Sequence, residues 1–186
     1  MTRTARDQVV ELLGQRVASE HLRRHMLATE AIMRAVAARL GEDPDLWGLA
    51  GLAHDLDSEE TEHDFTQHGL GAAQALRDAG APEAAAHAVA AHNPDPGVTA
   101  DTPMDVALIA ADQLSGLITA AALVRPDTAL AGVQPKSVRK RYREGAFARG
   151  VDRASIARCA ELGIELDDFI AVGLEAMQGI APELGL

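Results

Sequence analysis

Residues 46–55 read Leu-Trp-Gly-Leu-Ala-Gly-Leu-Ala-His-Asp, and this stretch decides how the rest of the chain is organised. Its first eight residues carry no charge, and a helix that is apolar on every face belongs inside a protein core. The stretch nevertheless ends in His54 and Asp55, whose side chains ionise or bind metal. Because an unpaired buried charge is costly, such groups are normally paired or bound to a metal ion. The sequence therefore predicts a helical core built around a His-Asp pair.

Length and composition exclude several classes of function. A chain of 186 residues suits one domain with one core. The formal charge of −11 argues against general binding to nucleic acid or anionic membranes, and 3% aromatic residues are too few to stack single-stranded bases. We find no signal segment and no run of 18 apolar residues. Cys159 is the only cysteine, so no internal disulfide forms, which agrees with a cytoplasmic location.

The rest of the chain shows helical spacing of apolar residues and no alternation with period two. We predict an all-α helical bundle of about eight or nine helices. After a helix over 5–16, a polar link over 19–24 is expected, then a helix over 25–40 with His25 on its buried face. The later helices are predicted over about 44–55, 65–79 with His68 near its start, 82–92, 102–124, a basic helix from 135, a short helix capped by Asp152, and a last helix over 167–180.

Several predicted helices bring a residue of metal-ligand type to an apolar position or to a helix end. Together these residues supply four imidazoles and two carboxylates, which suit one or two divalent transition metals (Fe, Mn, Co, Ni or Zn), with Mg as a further candidate. A lone buried histidine is more often a hydrogen-bonded core residue, but six independent cases in one small domain would be unusual. The candidate metal ligands are His25, His54, Asp55, His68, His92 and Asp112.

In this order, on a helical chain, these residues resemble the HD-domain superfamily of metal-dependent phosphohydrolases. The resemblance covers roughly residues 20–125 and implies a single HD-type domain over 1–186, with residues 126–186 as a C-terminal helical extension. Members hydrolyse phosphomonoesters and phosphodiesters, often of nucleotides, and a minority are diiron oxygenases. The resemblance implies a minimal metal site formed by His25, His54, Asp55 and Asp112. It also implies that His68 and His92 complete a second metal site next to the first.

The leading hypothesis is metal-assisted hydrolysis of a phosphoester, of a nucleotide or another small phosphorylated metabolite. Bound metals lower the pKa of a water molecule toward neutrality, and the resulting hydroxide attacks phosphorus. We assign the catalytic role to Asp55 and His54. The leaving group needs an acid, and the acidic loop offers Asp57, Glu59 and Glu60 without a reason to choose among them.

The last third of the chain resembles the C-terminal part of small bacterial HD hydrolases and contains a basic segment. Most of its cations are expected on a solvated face, but Lys136 and Arg149 are our candidates for binding substrate phosphate. Three histidines are left out of the predicted site. They are His21, which falls in the polar link, His63 and His87.

Two other functions stay open at this stage. The same six ligands would serve a mixed-valent diiron oxygenase, and a degenerate HD domain would act as a non-catalytic ligand sensor. Degeneration is disfavoured because all six ligand positions are filled. The expected partner is a small phosphorylated molecule, with no nucleic-acid polymer and no membrane, and the oligomeric state is left open.

Overall fold

The computed structural model describes residues 4–62 and 64–186, so His63 lies outside the described residues. In this part of the chain all regular structure is helical, which confirms the predicted all-α class. Two 3-10 turns, Leu130–Gly132 and Arg158–Leu162, accompany the α-helices. The helices are α1 (Ala5–Arg16), α2 (Glu20–Leu40), α3 (Pro44–Ala53), α4 (Leu70–Asp78), α5 (Glu83–Ala91), α6 (Pro103–Leu123), α7 (Pro135–Arg143), α8 (Arg153–Ala157), α9 (Leu166–Gln178) and α10 (Ala181–Leu184).

Helix α2 starts earlier than predicted, because the polar residues 20–24 form its first turn rather than a link. The Ser19 side chain accepts a hydrogen bond from the Leu22 backbone N–H and so caps the helix start. Glu20, His21 and Arg24 are exposed, which explains why this turn lacks an apolar pattern. His21 therefore lies on α2, one turn before His25.

Two other helix boundaries differ from the prediction. His68 lies in a turn, and α4 begins only at Leu70, because Gly69 between them has a φ of 93° that a helix does not allow. A Cβ atom on Gly69 would lie 2.9 Å from the Val89 carbonyl oxygen, so the chain passes very close to α5 here. At the other end of the chain, α10 follows the helix that was predicted to be the last.

Helices α3 and α6 lie at the centre of the fold. Every residue of α3 from Trp47 to Ala53 is buried, as its uncharged sequence predicts. Buried apolar residues from Val9 in α1 to Leu184 in α10 form one continuous cluster. By length and composition α6 is the one described helix that could cross a membrane, but 61% of the qualifying window is buried inside the fold, as in the core helix of a globular protein.

Helices α2 and α3 pack with their backbones close together at Gly51. A Cβ atom on Gly51 would lie 2.9 Å from the Glu30 Cα atom and 2.9 Å from the Thr29 carbonyl oxygen. Real Cβ atoms do not approach backbone atoms so closely. The glycine thus sets the distance between α2 and the helix that carries His54.

We expect Gly51→Ala to destabilise the fold by about 1–3 kcal/mol, because the added methyl group forces α2 and α3 apart. Urea unfolding would measure the change. Gly14→Ala is the matched control, since Gly14 also lies inside a helix but has open space around its Cβ position. There the same substitution should stabilise the protein by about 0.5–1 kcal/mol. Equal effects at the two positions would contradict the packing argument.

Candidate metal centre

The structure brings all six candidate ligands to one place between five segments of the chain. His54 and His92 occupy the residue that directly follows α3 and α5, respectively, where each helix ends against the core. Asp55 follows His54, and His68 lies in the turn before α4. The remaining two come from the long helices, His25 from α2 and Asp112 from α6.

Four of these side chains form a first cluster. The Nε2 atoms of His25 and His54 lie 3.1 Å apart. Asp112 Oδ1 is 2.9 Å from His25 Nε2 and 3.8 Å from His54 Nε2. Asp55 Oδ2 lies 3.6 Å from His25 Nε2 and 3.5 Å from His54 Nε2. Two imidazole nitrogens and two carboxylate oxygens therefore converge on one point.

The second cluster uses the other oxygen of the same aspartate. Asp55 Oδ1 is 3.1 Å from His68 Nε2 and 3.6 Å from His92 Nε2. The Nε2 atoms of His68 and His92 are themselves 3.1 Å apart. Asp55 thus stands between two pairs of histidines and offers one oxygen to each pair.

In each of the four histidines the Nδ1 atom lies within hydrogen-bond distance of an acceptor. The Nδ1 atoms of His54 and His92 lie 2.8 Å and 2.6 Å from the carbonyl oxygens three residues earlier, those of Gly51 and Val89. A carbonyl oxygen only accepts, so each Nδ1 carries the proton and each Nε2 presents a lone pair. This is the arrangement of metal-binding histidines, whose outer nitrogen donates to a carbonyl or carboxylate.

The other two histidines are oriented by side chains. His68 Nδ1 lies 3.0 Å from Asp57 Oδ1, a carboxylate acceptor. His25 Nδ1 lies 2.9 Å from Ser115 Oγ, and that hydroxyl donates its only proton to the Asp112 carbonyl oxygen at 2.8 Å. The serine oxygen therefore accepts from His25, and Nε2 of this imidazole also points inward as a lone pair.

These distances fit a divalent transition metal in each cluster. Ligands about 2.0–2.2 Å from a metal at tetrahedral or octahedral angles are about 3.0–3.5 Å from one another, close to the separations observed. Two imidazole lone pairs that face each other at 3.1 Å also repel, unless a proton or a metal cation lies between them. The donor set, imidazole with carboxylate, suits Fe, Mn, Co, Ni or Zn.

The pKa of Asp55 reflects its position between the histidines. Burial works to raise this pKa, but the charge of His54 and hydrogen bonds from His68 and His92 outweigh burial and hold it well below its usual range. The carboxylate is therefore ionised throughout the neutral pH range. An ionised carboxylate with both oxygens in use is what a bridging ligand requires.

The carboxylates of the two clusters favour a positive charge on His25 and His68, whereas burial disfavours it on His54. Burial lowers the pKa of His54. Burial also works to lower the pKa of His25, but Asp112 and Asp55 outweigh it and raise this pKa. In the second cluster burial works to lower the pKa of His68, but the carboxylates of Asp55 and Asp57 outweigh it and raise this pKa to about 10. Metal binding must displace such protons, so it releases them to solvent.

The centre is most open to solvent at His25 and Asp112, whose side chains are each 20% exposed. Those of His68 and Asp55 are 15% and 14% exposed, whereas that of His54 is fully buried. Asp112 is fixed at this opening, because its Oδ2 atom accepts a hydrogen bond of 2.8 Å from Gln113 Nε2. Gln113 Oε1 in turn accepts from the Asp152 backbone N–H at 2.8 Å. The segment before α8 is thereby joined to the residue next to a candidate ligand.

The two predicted phosphate-binding cations differ in position. Both Lys136 and Arg149 are exposed, and among the described residues no hydrogen bond or ion pair joins either of them to the clusters. Arg149 lies in the segment that Asp152 connects to Gln113. This segment is held by Arg153, whose guanidinium donates to backbone carbonyl oxygens of Glu144, Phe147, Ala148 and Val151.

The three acid candidates of the loop 56–62 are each engaged by other groups. Asp57 is buried behind His68. Glu59 accepts from the backbone N–H groups of residues 18 and 19, and Glu60 pairs with Arg16. Asp57 orients His68, a role for which its position two residues after Asp55 was the only sequence signal.

Sequence reasoning also missed the residues that orient the other ligands. Ser115 and Gln113 follow Asp112 within one helical turn, but neither type of residue is distinctive in a helix. His87 was left out of the site, and its Nδ1 atom lies 3.2 Å from Asp105. Asp105 already accepts from the backbone N–H groups of Asp101 and Thr102 at the start of α6, so this group is explained by helix capping.

Comparison with protein families matches the HD domain over residues 22–117, just over half of the chain. The chain therefore belongs to the HD domain family, as the order of its ligand residues predicts. Metal-dependent phosphohydrolases are common in this family. All six candidate ligands fall within the matched residues. A search of curated proteins and a search of solved structures found no match.

We expect Asp57→Asn to weaken metal binding in the second cluster by about 10–100-fold, the usual cost of removing an outer partner of a ligating histidine. Asparagine cannot accept hydrogen bonds from His68, Gly69 and Ala72 with both ends of its side chain. Titration with Zn²⁺ or Mn²⁺ would measure the affinity. Glu59→Gln changes a nearby carboxylate without contact to the clusters and should leave affinity unchanged; equal effects of both variants would refute the role of Asp57.

The effect of Asp57→Asn on the free energy of unfolding should also depend on pH. Burial works to raise the pKa of Asp57, but His68 and two backbone N–H groups outweigh it and lower this pKa. The unfolded carboxyl titrates near about 3.9, so its stabilising effect is present above that pH and is lost as pH falls through the lower folded pKa. The difference in unfolding free energy between the native chain and Asp57→Asn should therefore shrink on acidification below that value.

Proposed function

We propose that this protein is a phosphohydrolase that uses two divalent transition-metal ions to cleave a phosphoester of a small molecule. The observation that carries the proposal is Asp55 between two histidine pairs, with one oxygen toward each pair. Two metals about 3.5–4 Å apart are a common device for hydrolysing phosphate esters. The family of the chain supports the same chemistry.

The protein's own residues have separate tasks in this proposal. His25, His54, Asp55 and Asp112 would hold one ion, and His68 and His92 would hold the other together with the second oxygen of Asp55. When bound, the ions would supply an activated water molecule and positive charge for the phosphoryl oxygens. His54, fully buried and donating to the Gly51 carbonyl oxygen, keeps its ring orientation while substrate enters and leaves.

Substrate would enter from the open side, where His25 and Asp112 are partly exposed. The net charge of the protein is −11, so a phosphate anion needs local positive charge there. Arg149 remains our candidate for this contact, because its segment is joined to Gln113 beside Asp112. Lys136 is the weaker candidate, since no described hydrogen bond joins its segment to a residue beside the ligands, as Asp152 joins the segment of Arg149.

The test is phosphate release by the full chain loaded in turn with Mn, Fe, Co, Ni, Zn or Mg, against a panel of phosphate esters and nucleotides. We expect release that requires metal and disappears in Asp55→Asn. Asp95→Asn, an exposed carboxylate in the loop after His92, serves as the control and should retain activity. Bound metal without release of phosphate from any ester would overturn the proposal.

The same preparation distinguishes the two other functions. Oxygen consumption and a mixed-valent EPR signal of the iron-loaded protein, without phosphate release, would identify a diiron oxygenase. A chain that binds no metal and remains fully folded would instead be a ligand-sensing HD domain.

A further inference from the structure

A cavity of about 400 Å³ lies next to the metal centre, between the start of α2, the second half of α6 and α10. His25 belongs both to the first cluster and to the wall of this cavity. The volume lies at the lower end of the range for small-molecule sites, which is about 300–1,000 Å³. The cavity is therefore placed to hold a group that is attached to a phosphate at the clusters.

The wall that α6 contributes is aliphatic except for the hydroxyl group of Thr119. Gly116, Ala120 and Leu123 follow one another at helical spacing and all line the cavity, and Leu184 of α10 also lines it. Leu123 is 52% exposed, so its side chain is accessible to a ligand in the cavity. An apolar group bound here would cover this surface.

The other polar residues of the cavity lie along its α2 wall. Besides His25 they are Glu20, His21 and Arg24, and the Arg24 Nε atom already donates to Glu20 at 3.1 Å. The described residues that line the cavity include no aromatic side chain other than the two histidines. Bases are typically held by stacking on aromatic side chains and by hydrogen bonds to their edges. His25 is held by the first cluster and Arg24 by Glu20, so neither is placed to stack on a base, and the aliphatic part of the lining suits an alkyl chain better than a nucleobase.

We propose that this cavity binds the aliphatic part of a phosphate monoester, so that the substrate is an alkyl phosphate rather than a nucleotide. The proposal rests on the phosphohydrolase function proposed above. In the reaction the oxygen of water forms a bond to phosphorus, and the bond from phosphorus to the alkyl oxygen breaks. One proton of the water goes to that oxygen, which leaves as the alcohol, and the other remains with the phosphate.

The first experiment varies the length of the alkyl chain. The metal-loaded full chain hydrolyses ethyl, butyl and hexyl phosphate, and calorimetry measures binding of the matching alkylphosphonates, whose P–C bond resists hydrolysis. We expect kcat/KM and affinity to rise by up to about fourfold for each methylene that the cavity buries. Nucleoside monophosphates should be poorer substrates than hexyl phosphate.

Variants locate the effect in the cavity. Leu123→Asn should weaken the dependence on chain length, and Ala120→Phe, which fills the cavity, should abolish it, both with unchanged metal content. Val124→Asn is the matched control, because Val124 is the next residue, is also exposed (58%) and does not line the cavity. It should keep the chain-length dependence of the native protein.

The outcomes separate the two proposals. If the phosphonates bind with a chain-length dependence that Leu123→Asn reduces, but no ester is hydrolysed, the cavity assignment holds and the phosphohydrolase function fails. If esters are hydrolysed with no dependence on chain length, or if Val124→Asn and Leu123→Asn behave alike, the cavity assignment is wrong. Nucleotides preferred over all alkyl phosphates would also refute it.

Discussion

Replacing Asp55 by alanine is expected to abolish metal binding and hydrolysis together. No other candidate ligand contributes to both clusters, because Asp55 Oδ2 faces His25 and His54 while Oδ1 faces His68 and His92. Its loss removes a ligand from each ion and the negative charge between them. The loss of affinity should exceed about 100-fold, the upper end of what removing a mere outer partner costs.

Metal analysis of the purified Asp55→Ala variant after dialysis would measure the effect. Asp95→Ala is the control, since it removes an exposed carboxylate from a loop close to the same site. Circular dichroism establishes whether the helices of the variant are intact. Full metal occupancy in a folded Asp55→Ala protein would show that this carboxylate is not a ligand.

The second large effect is expected from His68→Ala and His92→Ala, which should each remove one of the two ions. These histidines share only Asp55 Oδ1 with the rest of the centre. The first cluster keeps all its atoms, including the contact of 2.9 Å between His25 and Asp112. The remaining ion should therefore stay bound, while hydrolysis that depends on two metals falls to background.

The metal content of both variants would be measured by mass spectrometry, beside His21→Ala as the control. His21 is an exposed histidine one turn before His25 on α2, and its removal should leave the stoichiometry unchanged. Unaltered metal content in both His68→Ala and His92→Ala would indicate a mononuclear site. These two histidines would then pack against the site or face the substrate.

The helical class, the central helix and the set of candidate ligands could all be predicted from the sequence. The predicted start of α3 agrees with the structure because the signals for it are local. Asp43 caps the helix, and Pro44 occupies its first position. Local signals failed where a polar turn is helical, as in residues 20–24. They also failed where one glycine prevents a helix, as at Gly69 before α4.

The division of the ligands into two clusters and their orientation depend on contacts between helices that are distant in sequence. The acceptor for His25 is Ser115, which is 90 positions further along the chain, and no spacing rule connects two residues of separate helices. Asp57 was predicted to be a candidate acid, but packing against α4 places it behind His68. The cavity beside His25 likewise depends on how α10 packs beside α2. Helix caps and apolar spacing act within a turn or two, whereas a site is built by contacts between distant segments, and the packing of the core selects those contacts.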